Sequence, residues 1–141
     1  MQDNDKNNIE LLYKSLGHLE VILKMTRDIN NYNEFCENPL IKDITLLHLG
    51  QIGELCKRFT NEFKIKNNNI DYRAIAGLRN IAVHDYSGIN YNEIYNTIKN
   101  DVPVLKENYK SILLDNYKID EEKLNDFLKV YLETRRFLKD I

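Results

Sequence analysis

The chain has 141 residues, of which 43% are hydrophobic and 30% are charged, and its formal net charge is −2. This length suffices for one ordinary domain that buries roughly two-thirds of its unfolded surface. The balance of residues excludes wholesale disorder. The small negative charge argues against a protein that coats nucleic acid with a broad basic surface, so any contact with RNA should be local.

The chain carries no signal for a membrane, for export or for a metal. No stretch approaches the ~20 apolar residues of a membrane span, and the N-terminus lacks the pattern of a secretory signal. We therefore expect a cytoplasmic protein. Cys36 and Cys56 are too few for a disulfide framework or a metal cluster, and His18 and His48 have no companion at the spacing of metal ligands.

The spacing of apolar residues is helical throughout. With two prolines, five glycines and no Ser/Gly/Pro-rich linker, residues 1–141 are predicted to form a single domain with its core at about 9–114. Apolar residues three or four apart predict a first helix over 9–29. Pro39 opens a second helix that reaches about residue 63.

Two glycines lie inside the second predicted helix. Gly50 and Gly53 each weaken a helix relative to alanine, so the pair is best explained by the close approach of another helix, although a bend is an alternative. The polar stretch 64–69 that follows is predicted to be a loop.

The second half of the chain predicts four more helices, which makes six helical segments and no strand. Two aspartates, Asp71 and Asp120, are placed to cap helices. Asp101 and Pro103 together favour a restart, because an aspartate cap and a proline in the first turn suit a new helix. The predicted helices are 72–83, 91–100, 101–114 and an additional C-terminal helix over about 120–139.

Chemistry is concentrated around Arg79 and His84. Five residues on an uninterrupted helix correspond to a rotation of about 140°, so these two side chains would share a face only if the helix ends or bends here. Beyond a helix end, extended backbone would send His84 and Tyr86 to one side and Asp85 to the other.

An arginine and a histidine suit the cleavage of a phosphodiester. Arginine binds phosphate, and histidine moves protons at cellular pH. In RNA the 2′-hydroxyl is the nucleophile, so no metal or other cofactor is needed. Two proton transfers but one such histidine per chain predict a composite site in a symmetric dimer. From the residues alone, a capping His84 and a salt-bridged Arg79 remain the alternative.

The chain resembles the HepT proteins of the HEPN superfamily, whose motif is Arg, four to six residues, His, any residue, Tyr. Arg79, His84 and Tyr86 match it, and the agreement spans roughly residues 46–114. Departures are Tyr72 in place of Trp, Ser87 in place of an aromatic residue, and the helix after Asp120. Further matching segments are Ile52-Gly53-Glu54, Ala76-Gly77-Leu78-Arg79-Asn80, Val83-His84-Asp85-Tyr86, Gly88-Ile89 and Asp101-Val102-Pro103.

This resemblance implies a helical bundle of about five to six helices that forms a homodimer. It also implies a metal-independent endoribonuclease that acts as the toxin of a type II/VII-like toxin–antitoxin pair. The antitoxin would be an MntA-like minimal nucleotidyltransferase that transfers AMP from ATP to Tyr86. The added phosphodiester would place negative charge in the path of the substrate phosphate, so the modified form should be silent.

Three further residues are candidates for supporting roles, each with an ordinary alternative. Asn80 could position RNA or water, or form a cap or backbone hydrogen bond. Asp85 could orient a histidine of the partner chain, or lie in a solvated turn. Glu54 could reach the cleft, or form a surface ion pair with Lys57 or Arg58.

Two rival functions follow from the same residues. The first is a non-catalytic dimeric module that binds phosphate and recruits substrate for a partner nucleotidyltransferase. The second is a purely structural helical adaptor, which would leave the motif unexplained. The intact Arg79 and His84 favour the enzyme, whereas the acidic net charge favours the binding module.

Overall fold

The structure is a computed structural model that describes residues 3–84 and 88–135, and the side chains of 81–84 lie outside that description. Every regular element within these residues is helical, as predicted, and none of the helices is long and apolar enough to cross a membrane. The helices are α1 (Asp3–Thr26), α2 (Tyr32–Cys36), α3 (Pro39–Cys56), α4 (Asn61–Lys66), α5 (Tyr72–His84), α6 (Tyr91–Asn96), α7 (Val102–Ser111) and α8 (Glu121–Glu133), with π-helical segments at Thr97–Asp101 and Ile112–Asn116.

Helices α1 and α3 form the centre of the bundle. Leu12, Leu16 and Leu19 of α1 are fully buried, at the spacing expected of an inward-facing stripe. Helix α1 packs against α3, α7 and α8, while α3 packs mainly against α1 and α5. The α3–α5 contact therefore positions the predicted functional helix on the core.

The second predicted helix is in fact two helices. Helix α3 ends at Cys56, and Thr60 then caps α4 by accepting a 3.2 Å hydrogen bond from the Phe63 amide. The buried Asn8 of α1 holds this turn, because its amide nitrogen donates to Thr60 Oγ1 at 3.2 Å. The predicted loop at 64–69 is accordingly wrong in its first half, which belongs to α4.

The predicted break at Asp101 is also wrong. Residues 91–116 form one continuous helical rod made of α6, α7 and the two π-helical segments. Asp101 has helical backbone angles and makes no capping hydrogen bond. The Val102 amide donates to the Thr97 carbonyl five residues back, and this wider turn lets the rod pass Pro103, whose ring would collide with the preceding turn of an α-helix.

The remaining elements divide between a missed helix and a confirmed one. The short α2 was not predicted, although Asn31 caps it by accepting a hydrogen bond from the Glu34 amide. Helix α8 begins as predicted, with Asp120 accepting from the amides of Glu122 and Lys123. Helix α8 ends at Glu133 with Thr134 as its C-cap, so the predicted extension of the last helix is wrong at residues 134–135. Residues 136–139 of the predicted helix lie outside the described chain.

Candidate functional site

Helix α5 presents the predicted site. Asp71 caps its first turn, as predicted, by accepting a 3.1 Å hydrogen bond from the Ala74 amide. The hydroxyl of Tyr72 donates to the carbonyl of Asn67 at 2.7 Å, and burial raises the pKa of this tyrosine. The helix continues without interruption from Arg79 to His84, so the expected helix end or bend ahead of His84 is wrong, and within one chain the two positions are rotated by about 140° around the helix axis. The residues that directly follow His84 lie outside the described chain, so the predicted helix end near residue 83 stays a prediction.

Gly53 brings α3 and α5 into backbone contact. A Cβ placed on Gly53 would lie 2.8 Å from the Arg79 amide nitrogen and 2.9 Å from the Ile75 carbonyl oxygen. Real Cβ atoms do not approach backbone atoms this closely, so only glycine fits. The predicted close approach is confirmed at Gly53. This contact fixes the position of Arg79 along the α5 axis relative to α3.

The next residue of α3 meets Arg79 directly. Glu54 Oε2 lies 2.7 Å from Arg79 Nε, and the two side chains are 46% and 39% exposed. Oε2 itself is buried and accepts no well-directed hydrogen bond from the described residues, so the contact is primarily ionic. Glu54 therefore pairs across the helix contact with the motif arginine, whereas the ion pairs found in the described chain include none between Glu54 and Lys57 or Arg58.

The other predicted site residues are only partly covered by the structure. Asn80 is exposed, and no hydrogen bond of its side chain occurs among the described residues. The backbone of His84 belongs to α5, but its side chain lies outside the described residues, as do Asp85 and Tyr86. The geometry of Arg79 and Glu54 is therefore the structural basis of the site.

A groove runs along α5 beside its contact with α3. It has a volume of about 590 Å³ and lies between α5 and the helical rod. Among the described residues, no atom of another element lies within 4 Å of a Cβ placed on Gly77, so the α5 wall is uncovered there. Ala74 and Leu78 lie on the same wall, and Val104, which is 58% exposed, lies on the opposite one.

Sequence reasoning missed a second titratable cluster. His18 of α1 and His48 of α3 approach to 2.8 Å between their Nδ1 atoms. Burial, followed by the charges of His48 and Arg135, lowers the pKa of His18 to about 4, and burial with the Arg135 charge lowers that of His48 to about 4. The two residues lie 30 positions apart in the sequence, so no local sequence pattern predicts their contact. Among the described residues, no group of three or more potential metal ligands occurs.

Comparisons with known proteins match residues 16–112 to the family model described as "Ribonuclease HepT-like". A Methanocaldococcus jannaschii protein named as a candidate RNase is 36% identical over 96 residues, which cover 68% of this chain and 87% of the relative. A second such protein of that organism is 31% identical over 104 residues, or 74% and 89% of the two chains. A Thermococcus cleftensis protein named as a probable ribonuclease HepT is 29% identical over 94 residues, or 67% and 84%.

The span matched to the family contains α3, α5 and most of the helical rod, and it ends before α8. No solved structure gives a significant match to this chain.

Proposed function

Because the chain belongs to the HepT-like ribonuclease family, we propose that it is an endoribonuclease that cleaves RNA without a metal, using Arg79 and His84. The observation that carries the proposal is the placement of Arg79. The Gly53 contact and the Glu54 carboxylate hold it, half-exposed, on the helix that also contains His84.

The chemistry of the step needs only protein side chains and the RNA itself. A base takes the proton of the 2′-hydroxyl, whose oxygen forms a bond to phosphorus. The bond from phosphorus to the 5′ oxygen then breaks, and an acid protonates that oxygen. Arg79 stabilises the negative charge of the phosphorane between these events. His84 is the residue assigned to the proton transfers.

Two proton transfers favour a homodimer in which each chain supplies one His84 to a shared cleft. The uncovered wall of α5 at Ala74, Gly77 and Leu78 supports this arrangement, since it is apolar surface on the helix that also carries Arg79. Asp85 would then orient the histidine of the second chain, and Asn80, which is exposed, would position RNA or water.

Glu54 is assigned a positioning role. Its carboxylate meets Arg79 at Nε, and a guanidinium has further N–H donors for a phosphate. A fixed Nε edge restricts the rotation of the guanidinium, so Arg79 is held ready for the phosphate. Glu54 therefore acts through Arg79 and not on the substrate.

Control of the activity is assigned to Tyr86. In the proposed toxin–antitoxin pair, an MntA-like nucleotidyltransferase transfers AMP to the Tyr86 hydroxyl and releases pyrophosphate. The new phosphodiester bears a negative charge two residues from His84, where it competes with the substrate phosphate. The cytoplasm is the compartment in which ATP, RNA and both proteins would meet.

The second candidate function is a non-catalytic dimeric module that recruits substrate for a nucleotidyltransferase. Two observations favour it: the net charge of −2 promises weak general affinity for RNA, and Glu54 already neutralises part of the Arg79 charge.

Cleavage of total cellular RNA in EDTA tests the proposal. Unmodified wild-type protein should cut, whereas His84→Ala and Arg79→Ala should not, after light scattering has shown that all three are folded dimers. Intact RNA after incubation with wild-type protein, in a sample whose mass shows no AMP on Tyr86, would replace the enzyme by the binding module.

A matched pair of valines tests the dimer. Val104 borders the groove beside α5 and is 58% exposed, and Val130 on α8 is 57% exposed. Val104→Arg should convert the dimer to a monomer, and Val130→Arg should leave it dimeric. Equal masses in light scattering for the two variants would place the dimer contact elsewhere.

A further inference from the structure

The helical rod carries a row of asparagines. Asn92, Asn96 and Asn100 follow one another at four-residue spacing, which places them about 6 Å apart on one face of a helix. All three are exposed. Together with Asn90 and Thr97 they line an open cleft of about 390 Å³. We call Asn92, Asn96 and Asn100 the asparagine face.

The asparagine face has no structural role within the described chain. Asparagine is a poor helix former, because its side chain competes for backbone hydrogen bonds. None of these three side chains makes a hydrogen bond to a described residue, in contrast to Asn90, which caps α6 by accepting from the Glu93 amide. Asn100 of this face lies in the π-helical segment Thr97–Asp101, and such segments are frequent at functional sites.

The chemistry of the cleft suits the edges of nucleobases and not phosphates. Its two charged residues are the carboxylates Glu93 and Asp101, and its lining contains no lysine or arginine. Asparagine amides pair with adenine through one donor and one acceptor, and carboxylates accept hydrogen bonds from the amino groups of bases. A phosphate would be repelled here, whereas it would be attracted at Arg79.

The cleft shares part of its lining with the groove beside α5. The rod begins at Tyr91, a few residues after His84, and it forms the wall of the groove opposite α5. Glu93, Thr97 and Asp101 line both this groove and the asparagine cleft. An RNA strand that lies in the groove beside α5 can therefore reach the asparagine cleft on the rod.

We propose that the asparagine face binds bases of the RNA next to the cleaved bond and prefers adenine. This inference rests on the proposed function, since it assigns the sequence preference of that same site. It explains how a chain with a net charge of −2 selects RNA: the phosphate is bound at one place, and the neighbouring bases supply the rest of the recognition.

Binding to a cleavage-deficient protein tests the inference without requiring turnover. The protein is the full chain with His84→Ala, and the probes are fluorescent oligoadenylate and oligouridylate of equal length, compared by anisotropy. Oligoadenylate should bind about tenfold more tightly. Adding N92A, N96A and N100A should bring the ratio of the two dissociation constants close to one, without loss of helix, because alanine is the better helix former.

A second triple variant supplies the control. N33A, N61A and N125A replace three exposed asparagines on other helices, α2, α4 and α8, and this protein should keep the preference for adenine. Equal binding of the two oligonucleotides before any asparagine is replaced, or an adenine preference that survives loss of the asparagine face, would overturn the inference. Failure of wild-type protein to cut RNA in EDTA would instead count against the proposed enzyme, so the two failures are distinguishable.

Discussion

Gly53 and Gly17 each allow a neighbouring helix to pack closely, but the atoms that contact them differ: backbone atoms at Gly53 and side-chain atoms at Gly17. At Gly53 on α3 the neighbour is backbone of α5, because a Cβ there would lie 2.8 Å from the Arg79 amide nitrogen. At Gly17 on α1 the neighbour is a side chain of α8, because a Cβ would lie 2.7 Å from Cζ of Tyr131. Backbone can yield only by moving a whole helix, whereas an aromatic ring can turn.

The difference follows the boundary of the family match. The α3–α5 contact lies within residues 16–112 and holds Arg79, whereas α8 lies beyond that span. Helix α8 is fastened through side chains: Leu124 and Leu128 are buried, and Phe127 meets Tyr13 edge-on with ring centroids 4.9 Å apart. The contact that carries the proposed chemistry should therefore be less tolerant of change than the contact that carries the added helix.

The largest expected effect is at Gly53. Gly53→Ala should lower the free energy of unfolding by about 2–3 kcal/mol, since the new methyl group forces α5 away from α3. Gly77→Ala should raise it by up to about 1 kcal/mol, because open space surrounds this glycine and alanine favours the helix. Urea unfolding followed by circular dichroism compares the two. Equal effects of the same sign would show that α3 and α5 are not in backbone contact.

A smaller effect is expected at Gly17. Gly17→Ala should lower the free energy of unfolding by about 1–2 kcal/mol while Tyr131 is present, because the new methyl group displaces the Tyr131 ring from its position against Gly17. In a Tyr131→Ala background the same change should be neutral or slightly stabilising. A double-mutant cycle in urea measures this coupling. If Gly17→Ala changes the free energy of unfolding equally in both backgrounds, the packing of α8 does not depend on the contact between Tyr131 and Gly17.

The sequence predicted those parts of the fold that have local signals. Asp71 and Asp120 were identified as caps from their positions before apolar runs, and Gly53 was identified as a close approach from its place inside a helix. The N-caps at Asn31 and Thr60 have equally local signals but were not predicted. Asp101 and Pro103 led to the wrong prediction of a helix restart. The same two residues are also compatible with a π-helical turn inside a continuous helix, which is what the structure contains.

The site was predictable as a motif but not as an arrangement. Arg79 and Glu54 lie 25 positions apart, and their ion pair depends on the register between α3 and α5, which no single helix encodes. The His18–His48 pair likewise requires the crossing of α1 and α3. Leu47 is 60% exposed while Leu46 and Leu49 are buried, because the helices that pack against α3 determine which of its faces is buried.

The histidine pair near α8 should make stability depend on pH. In the folded protein the pKa values of His18 and His48 are about 4, below the ordinary 6.5 of an unfolded chain. As pH falls, the unfolded chain therefore takes up protons first. The stabilisation is complete above about pH 6.5 and is lost as pH falls towards about 4.

The expected loss is on the order of 1–2 kcal/mol, less than the full shifts imply, because His18 keeps some contact with solvent. Urea unfolding at several pH values measures it. The double variant H18Q and H48Q should have a flatter profile over this range, since it removes both titrating groups. An unchanged profile in that variant would assign the acid sensitivity to other residues.

The smallest effect on stability, and the sharpest test of the α3–α5 contact, is expected at Glu54. Its ion pair with Arg79 is nearly half exposed, so Glu54→Gln should change the free energy of unfolding by less than about 0.5 kcal/mol. Glu10→Gln is the matched control, because Glu10 pairs with Lys14 at 2.8 Å on the exposed side of α1. Both variants should unfold at nearly the wild-type urea concentration.

They should differ in RNA cleavage. Loss of the Glu54 carboxylate frees the Arg79 guanidinium to rotate, and we expect cleavage to slow by about tenfold, a cost of roughly 1.4 kcal/mol in the transition state. The decrease should fall on kcat more than on KM, since phosphate binding survives while its alignment does not. Glu10→Gln should cleave normally. If Glu54→Gln also cleaves at the wild-type rate, the ion pair is only a surface contact between two helices, and Arg79 is aligned by the backbone contact at Gly53 alone.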